Sequence, residues 1–332
     1  MIHTTISPSL QALSGGDMTP LAHAFTSQGF ITHQLASGIL RVQPRSLACR
    51  SQVLISVGIH GNETGPIALL DALLIALSTD AARLQVDLMV VVGNLAAIAQ
   101  NKRYLNVDLN RLFHTDGPPR CESWELRRAT EIMKATHQFF EPDHNDKWHL
   151  DLHSAIRDSL FPAFAVIPTA VSGLKRNALT DLLQEGGIGA AIFNDRPAST
   201  FSAYTAARFK TASATVELGK VGPLGAYEDR CFDDMSRVLQ QLLTANPIGV
   251  RDTPTVSIAQ FKVAQEMIKA TPSFQLAFSR DLPNFTRFAP DSLLAEDEGA
   301  EIRCGSTPEY IVFPNPDVDI GMRAGLTVIR TA

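Results

Sequence analysis

Residues 53–65 read VLISVGIHGNETG. Val53–Ile59 is an apolar run broken only by Ser56 and Gly58, the pattern of a strand buried on both faces. Glycines punctuate its end, and Pro66–Leu77 continues with helical spacing. A buried strand, a Gly-containing turn and a helix in that order form the repeating unit of α/β folds. Ligand sites in open α/β sheets lie at the carboxyl ends of strands. His60 stands at such an end, and Glu63 follows on the loop.

Similar apolar runs recur at Leu88–Val92, Trp148–His153, Ala163–Ile167, Ala190–Phe193 and Ala214–Leu218. Helical stretches lie between several of them. In Trp124–Phe140, Leu126, Ala129, Ile132 and Met133 recur at i, i+3 and i+4 intervals. Ser172–Gln184 and Asp229–Leu243 behave alike. This alternation predicts an α/β fold with a mixed, mostly parallel sheet covered by helices on both faces. After Leu243 the pattern changes. Thr244–Pro254 carries Asn246, Pro247, Gly249 and Pro254 and reads as a linker. Short β-type runs follow at Val256–Val263, Tyr310–Phe313 and Leu326–Ile329. The expected organisation is a catalytic domain over residues 1–245 and a smaller β-rich C-terminal domain over residues 253–332.

Composition narrows the function. The chain has 332 residues, 45% hydrophobic and 19% charged, with a formal net charge of −5. The basic residues are scattered, and Arg127–Arg128 reads as a solvated helix face. Nucleic acid is therefore not an expected partner, since phosphate backbones demand clustered positive charge. Cys49, Cys121, Cys231 and Cys304 form no C-x-x-C pair, which argues against a cysteine zinc site and for reduced thiols. The N-terminus lacks a basic start and a continuous apolar core, so no secretory signal is expected. The most apolar window, Val86–Ala99, contains Asp87 and Asn94 and is shorter than the ~20 residues of a membrane span. It reads as a buried strand and the start of a helix. A cytoplasmic protein without membrane attachment is expected, with its oligomeric state open between monomer and homodimer.

His60 and Glu63 are separated by two residues, and a tight loop can turn both toward one cation. Zinc accepts imidazole nitrogen and carboxylate oxygen. H-x-x-E also occurs in ordinary polar loops, so a second segment matters. In Trp148–Ser154, WHLDLHS, strand alternation sets Leu150 and Leu152 on one face and His149, Asp151 and His153 on the other. Polar groups inside a buried strand are costly unless paired or bound to metal. His153, at the strand's end, is the natural third ligand, and Asp151 could orient it. Two imidazoles and one carboxylate leave a position open for water, as in catalytic sites.

A general base must still move the water's proton. In Ser213–Gly219, SATVELG, Glu217 lies near the end of an apolar strand, where burial raises a carboxyl pKa and suits proton transfer. A Glu at a sheet edge is the other reading. Asn101–Phe113, NKRYLNVDLNRLF, follows a buried strand and carries Lys102, Arg103, Asn110 and Arg111. Arg suits bidentate carboxylate binding, though an exposed basic loop has the same composition.

Together HGNETGP, DLNR, DLHSAIR and VELGKVGPLG resemble, in order, the main motifs of the succinylglutamate desuccinylase/aspartoacylase family of zinc carboxypeptidase-like enzymes. The resemblance spans roughly Leu54–Gly225 and continues in EYIVFPNPDVDIGMRAGL near the C-terminus. It implies that His60, Glu63 and His153 bind one Zn²⁺ per chain and that Glu217 is the catalytic base. Arg103, Asn110 and Arg111 would hold substrate carboxylates, with Arg157 recognising one end of the substrate or forming a structural ion pair; Arg208 is a further candidate contact. His149 is extra and reads as structural. The implied fold is a carboxypeptidase-like α/β domain followed by a smaller β-rich one. DLHSAIR and VELGKVGPLG are closer to the desuccinylases than to the aspartoacylases. They imply hydrolysis of N-succinyl-L-glutamate, a small-molecule tricarboxylate, to succinate and L-glutamate, the last step of arginine degradation through succinylated intermediates. Rivals are an aspartoacylase-like deacylase, a carboxypeptidase acting on a C-terminal residue, and a non-catalytic zinc or metabolite binder. The chain has no G-x-S-x-G elbow and no phosphate-binding loop, which argues against a serine hydrolase or a P-loop enzyme.

Overall fold

The computed structural model describes residues 6–45, 51–79, 84–115, 122–141, 146–155, 157–220, 230–244 and 257–332. Two short helices, α1 (Pro8–Ser14) and α2 (Thr19–Ser27), precede a hairpin of β1 (Ile31–Ala36) and β2 (Ile39–Gln43). Then come β3 (Ser51–Val57), α3 (Gly65–Thr79), β4 (Asp87–Val92) and α4 (Leu95–Ala99). A 3₁₀ turn, Leu109–Arg111, leads toward α5 (Trp124–Phe140), β5 (Asp146–Ala155) and β6 (Ala163–Pro168). Next are α6 (Gly173–Glu185), β7 (Ala190–Asn194), α7 (Phe201–Phe209), β8 (Ala212–Lys220) and α8 (Arg230–Leu243). The remainder is β: β9 (Ala259–Ile268), β10 (Gln275–Leu276), β11 (Thr286–Phe288), β12 (Leu293–Asp297), β13 (Ala300–Arg303), β14 (Glu309–Val312) and β15 (Arg323–Arg330).

A twelve-stranded sheet runs β1-β2-β4-β3-β5-β8-β6-β7-β9-β15-β14-β11. Its centre is parallel from β4 through β3 and β5 to β8. The β6/β8 pair is antiparallel, and β6, β7 and β9 are again parallel. Every α/β strand read from an apolar run is present, each lengthened by one or more residues, except that the first ends at Val57 instead of Ile59. Alternating residues Val53, Ile55 and Val57 pack on one side with Leu150, Leu152, Ala214 and Val216, beneath α3, α6 and α8. Leu54, Met89 and Val91 face the other side, against α5 and α7.

The β-rich end extends the main sheet: β9 pairs in parallel with β7, and β15, β14 and β11 continue outward. A separate small sheet, β10-β12-β13, packs beside them. The region read as a linker lies, beyond residue 244, outside the described residues, as do Cys49 and Cys121. Cys304 is a free thiol. No described helix is long and apolar enough to cross a membrane.

Arg127–Arg128 is not a solvated pair. Arg127 is exposed, but Arg128 is buried. Its Nε donates to Gly93 O and its Nη2 to Val92 O, both at 2.7 Å, while Nη1 pairs with Glu131. One turn of α5 thus carries a surface cation beside one that closes the end of β4. Replacing Arg128 with Met keeps the length and removes both of these hydrogen bonds, leaving Gly93 O the Leu95 N–H at 3.2 Å. We expect a loss of about 2–4 kcal/mol in urea unfolding. Arg127→Met should stay within about 0.5 kcal/mol, and equal effects would remove this role from Arg128.

Candidate metal centre and active site

Parallel pairing of β3, β5 and β8 lines up their polar residues. Ser56 lies opposite Asp151, Asp151 opposite Thr215, and His153 opposite Glu217. The alternation that sends Leu150 and Leu152 into the core sends His149, Asp151 and His153 to the opposite face. His60 and Glu63 come from the turn after β3. That turn passes hard against α4: a Cβ on Gly61 would lie 2.2 Å from the Ala97 carbonyl carbon and 2.3 Å from Ile98 N. Only glycine fits there, and Gly61 N also donates to Arg103 O at 3.1 Å. The same turn is thereby tied to the loop that carries Arg103.

His60, Glu63 and His153 form a buried group whose potential ligand atoms all lie within 4.8 Å of one another. His60 Nδ1 is 2.8 Å from Glu63 Oε1, and His153 Nδ1 is 2.8 Å from Glu63 Oε2. Both imidazoles turn their far nitrogen to a carboxylate. His60 Nε2 contacts Asp108 Oδ1 at 3.0 Å, and His153 Nε2 contacts Asp151 Oδ2 at 3.1 Å. A carboxylate behind an imidazole fixes its tautomer and leaves the other nitrogen for a cation. The donor set and its outer partners fit a divalent metal of the zinc kind.

Charge in the site is balanced among buried groups. Burial alone would raise Glu63, yet the two imidazoles hold it well below the usual carboxylate range. Burial alone would lower His153, but the charges of Asp151 and Glu63 outweigh it and raise it well above the ordinary value. Asp108 follows Glu63: His60, Arg111 and Arg103 overcome burial and keep it ionised. Glu217 is the exception. It is buried, and burial together with the nearby Glu63 charge raises it to about 7. A carboxyl group poised there can accept and return a proton near neutrality.

The residues singled out for substrate fall in different places. Arg103 donates through Nη1 to Glu63 Oε1 at 2.9 Å, with its side chain one-third exposed. Asn110 is buried, and its Oδ1 accepts the Phe201 N–H at 2.9 Å, so its side-chain oxygen is already used by the start of α7. Arg111 donates to Asn110 O at 2.9 Å, and its charge acts on Asp108. Arg157 lies half-buried among Arg280, Asp281 and Asp317 of the β-rich end. Arg208 does not face the site: it is exposed in the last turn of α7, 5.8 Å from the Phe209 ring centroid, beside the amino end of β8.

One cation was missed. Arg323, in β15, donates to Glu266 Oε1 at 3.3 Å. Burial and the like charge of Arg111 lower it to about 10, and Asp108 acts on it as well. A residue from the last strand therefore stands within electrostatic reach of the His60–Asp108 pair. It lies inside the motif DIGMRAGL, but a lone Arg beside a glycine gives no spacing signal.

Fold and constellation define a hydrolase of amide bonds built on a mixed sheet. Residues 49–245 match the succinylglutamate desuccinylase/aspartoacylase catalytic domain, and residues 256–331 match the AstE/AspA barrel-sandwich hybrid domain. The chain belongs to the succinylglutamate desuccinylase/aspartoacylase family. It is 36% identical over 296 residues to the succinylglutamate desuccinylase of Serratia proteamaculans, covering 89% of each chain. The crystal structure of that enzyme from Vibrio cholerae superposes with a TM-score of 0.84 at 30% identity, over 91% of this chain and 88% of that one. The Chromobacterium violaceum enzyme gives 0.79 at 33% identity over 99% of both.

His149 sets a pH dependence of stability. Burial lowers it to about 4 from an ordinary 6.5. A neutral buried imidazole favours the folded state above the unfolded pKa, and that advantage is lost as pH falls from about 6.5 toward 4. Between pH 7 and pH 5 this one group should cost about 2 kcal/mol. Urea unfolding of the protein and of His149→Gln at both pH values checks it: the variant should lose that much less on acidification.

Proposed function

We propose that the chain hydrolyses the amide of N-succinyl-L-glutamate, releasing succinate and L-glutamate, at a zinc ion held by His60, Glu63 and His153. The observation that carries this reading is Glu217, a buried carboxyl raised to about 7 and paired in register with His153. A site that only bound metal would have no use for such a group. Zinc, when bound, supplies a Lewis acid that polarises the amide carbonyl and acidifies water.

The chain's own residues do the rest. Glu217 takes a proton from the attacking water as the water oxygen bonds to the carbonyl carbon. It returns that proton to the amide nitrogen as the carbon–nitrogen bond breaks, so the base ends as it began. Arg103, Arg111, Arg157 and Arg323 answer the substrate's three carboxylates, and Asn110, its oxygen engaged by Phe201, offers its NH₂ group. The setting is the cytoplasm, with a small-molecule metabolite as partner.

Metal analysis and succinate release by the purified chain test this reading. We expect one zinc per chain, loss of activity on chelation and recovery with Zn²⁺. Succinylglutamate should outpace acetylaspartate and a short peptide by a clear margin; parity would defeat the assigned specificity. Glu217→Gln should retain zinc and lose about 10²–10⁴-fold in kcat. Arg323→Met should raise KM about 10–100-fold, the worth of one charge-assisted contact, with a smaller change in kcat. An unchanged KM would take Arg323 out of the substrate pocket.

A further inference from the structure

Behind the proposed ligand His153 lies a line of buried polar groups that the reaction does not use. Ser56 Oγ is 2.5 Å from Asp151 Oδ1 and 2.8 Å from His149 Nε2. His149 Nδ1 is 2.7 Å from Thr205 Oγ1, and Ser213 Oγ lies 3.0 Å from the same hydroxyl. Ser56, His149, Asp151, Thr205 and Ser213 are all fully buried. Sealed polar groups of this kind are expensive unless every donor finds an acceptor.

Counting protons gives the line a direction. Ser56 Oγ donates to Asp151 Oδ1, and a carboxylate at neutral pH has only acceptors to offer. The single Ser56 hydroxyl proton therefore goes to Asp151 Oδ1, and its oxygen must accept from His149. Nε2 of His149 then carries the hydrogen, and its bare Nδ1 accepts from Thr205 at 2.7 Å; Ser202 O, 3.1 Å from the Thr205 hydroxyl, accepts instead from Ser213 Oγ at 2.9 Å. Phe201 sets the ring plane, its centroid 4.5 Å from the imidazole with the rings at 63°. Were His149 to take the other tautomer, Ser56 would be drawn toward a bare Nε2 and Asp151 would lose its donor.

We infer that Thr205, His149 and Ser56 form a one-way hydrogen-bond relay that positions Asp151 and so holds His153 with Nδ1 bare toward the metal. The inference rests on the zinc reading above. The two ligand imidazoles are then supported differently. Asp108, behind His60, is fixed locally by the Asn110 N–H at 2.9 Å within its own 3₁₀ turn. Asp151 is fixed through side chains of its own strand β5, the neighbouring strand β3 and the helix α7. His149 and Ser56 are positioning residues: neither touches the metal ligands' facing atoms or the substrate.

Zn²⁺ affinity, measured by competition with a chromophoric chelator, and the visible absorption of the Co²⁺-loaded protein test the relay. His149→Leu fills the space without a donor, Ser56→Ala removes the hydroxyl alone, and His149→Gln places an N–H where Nε2 was. We expect His149→Leu and Ser56→Ala each to raise the Zn²⁺ Kd about tenfold or more and to shift the Co²⁺ bands. The double variant should be no weaker than either single, because both cut one line. His149→Gln should bind within about threefold of the parent, since it keeps the one hydrogen bond that matters. A folded Ser56→Ala protein with parental affinity overturns the relay, as does a Gln variant as weak as the Leu variant. Ser56→Ala carries the test if His149→Leu does not fold. A parent chain that binds no Zn²⁺ overturns the relay and the zinc reading together; a parent that binds, with unaffected variants, overturns the relay alone.

Discussion

Glu63 sits buried between two imidazoles, each Nδ1 2.8 Å from one of its oxygens. Taking a carboxylate out of water costs several kcal/mol unless it is neutralised and hydrogen-bonded. Much of the surrounding structure answers that demand. Arg103 donates to Oε1, and the Ser154 N–H reaches Oε2 at 3.3 Å. Asp108 and Asp151 then balance the imidazoles from behind. Each charge added to satisfy Glu63 needs its own partner, so the polar network spreads outward until it reaches backbone amides and hydroxyls.

The sheet permits this because its two faces differ. Under α3, α6 and α8 the strands bury Val, Ile, Leu and Ala. On the opposite face, apolar packing against α5 and α7 gives way at β5 and β8 to His149, Asp151, Ser213, Thr215 and Glu217. The helix covering that stripe, α7, brings hydroxyls: Ser202 contacts Thr215 at 2.7 Å, and Thr205 contacts His149. The β-rich end is part of the same construction. By pairing β9 with β7 it continues the sheet, and β15 returns Arg323 toward Arg111 and Asp108.

What could be read from the sequence follows from this division. Strands buried on both faces appear as apolar runs, and helices packed on one face as 3.6-residue periodicity, so α5 is legible to the residue. The metal-type group was legible because it lies where strands end and because His153 shares a face with an Asp inside an apolar strand. α7 is not legible in the sequence: FSAYTAARF is rich in small and hydroxyl residues that satisfy polar partners, and it lacks a strong apolar stripe. Arg128 misled for a related reason. Two adjacent arginines on a helix point about 100° apart, and composition does not say which of them meets the carbonyls at the end of β4. Arg323 and Arg111 are far apart in the chain and brought close by the sheet, a relation that spacing cannot show.

The site also has a wet side and a dry side, and the division explains which ligand can adapt. Behind His153 the Asp151 side chain is 0% exposed, whereas behind His60 the Asp108 side chain is 18% exposed and neighbouring Arg103 33%. The flank of Arg103 and Asp108 is therefore the one open to water. Groups on that flank can exchange a protein partner for water with little desolvation. On the sealed flank an exchanged partner would leave a charge unpaired in low dielectric, at a cost of several kcal/mol. Rigidity is thus concentrated where nothing needs to move, and Glu217, placed in register with His153, inherits its position from the side that cannot shift.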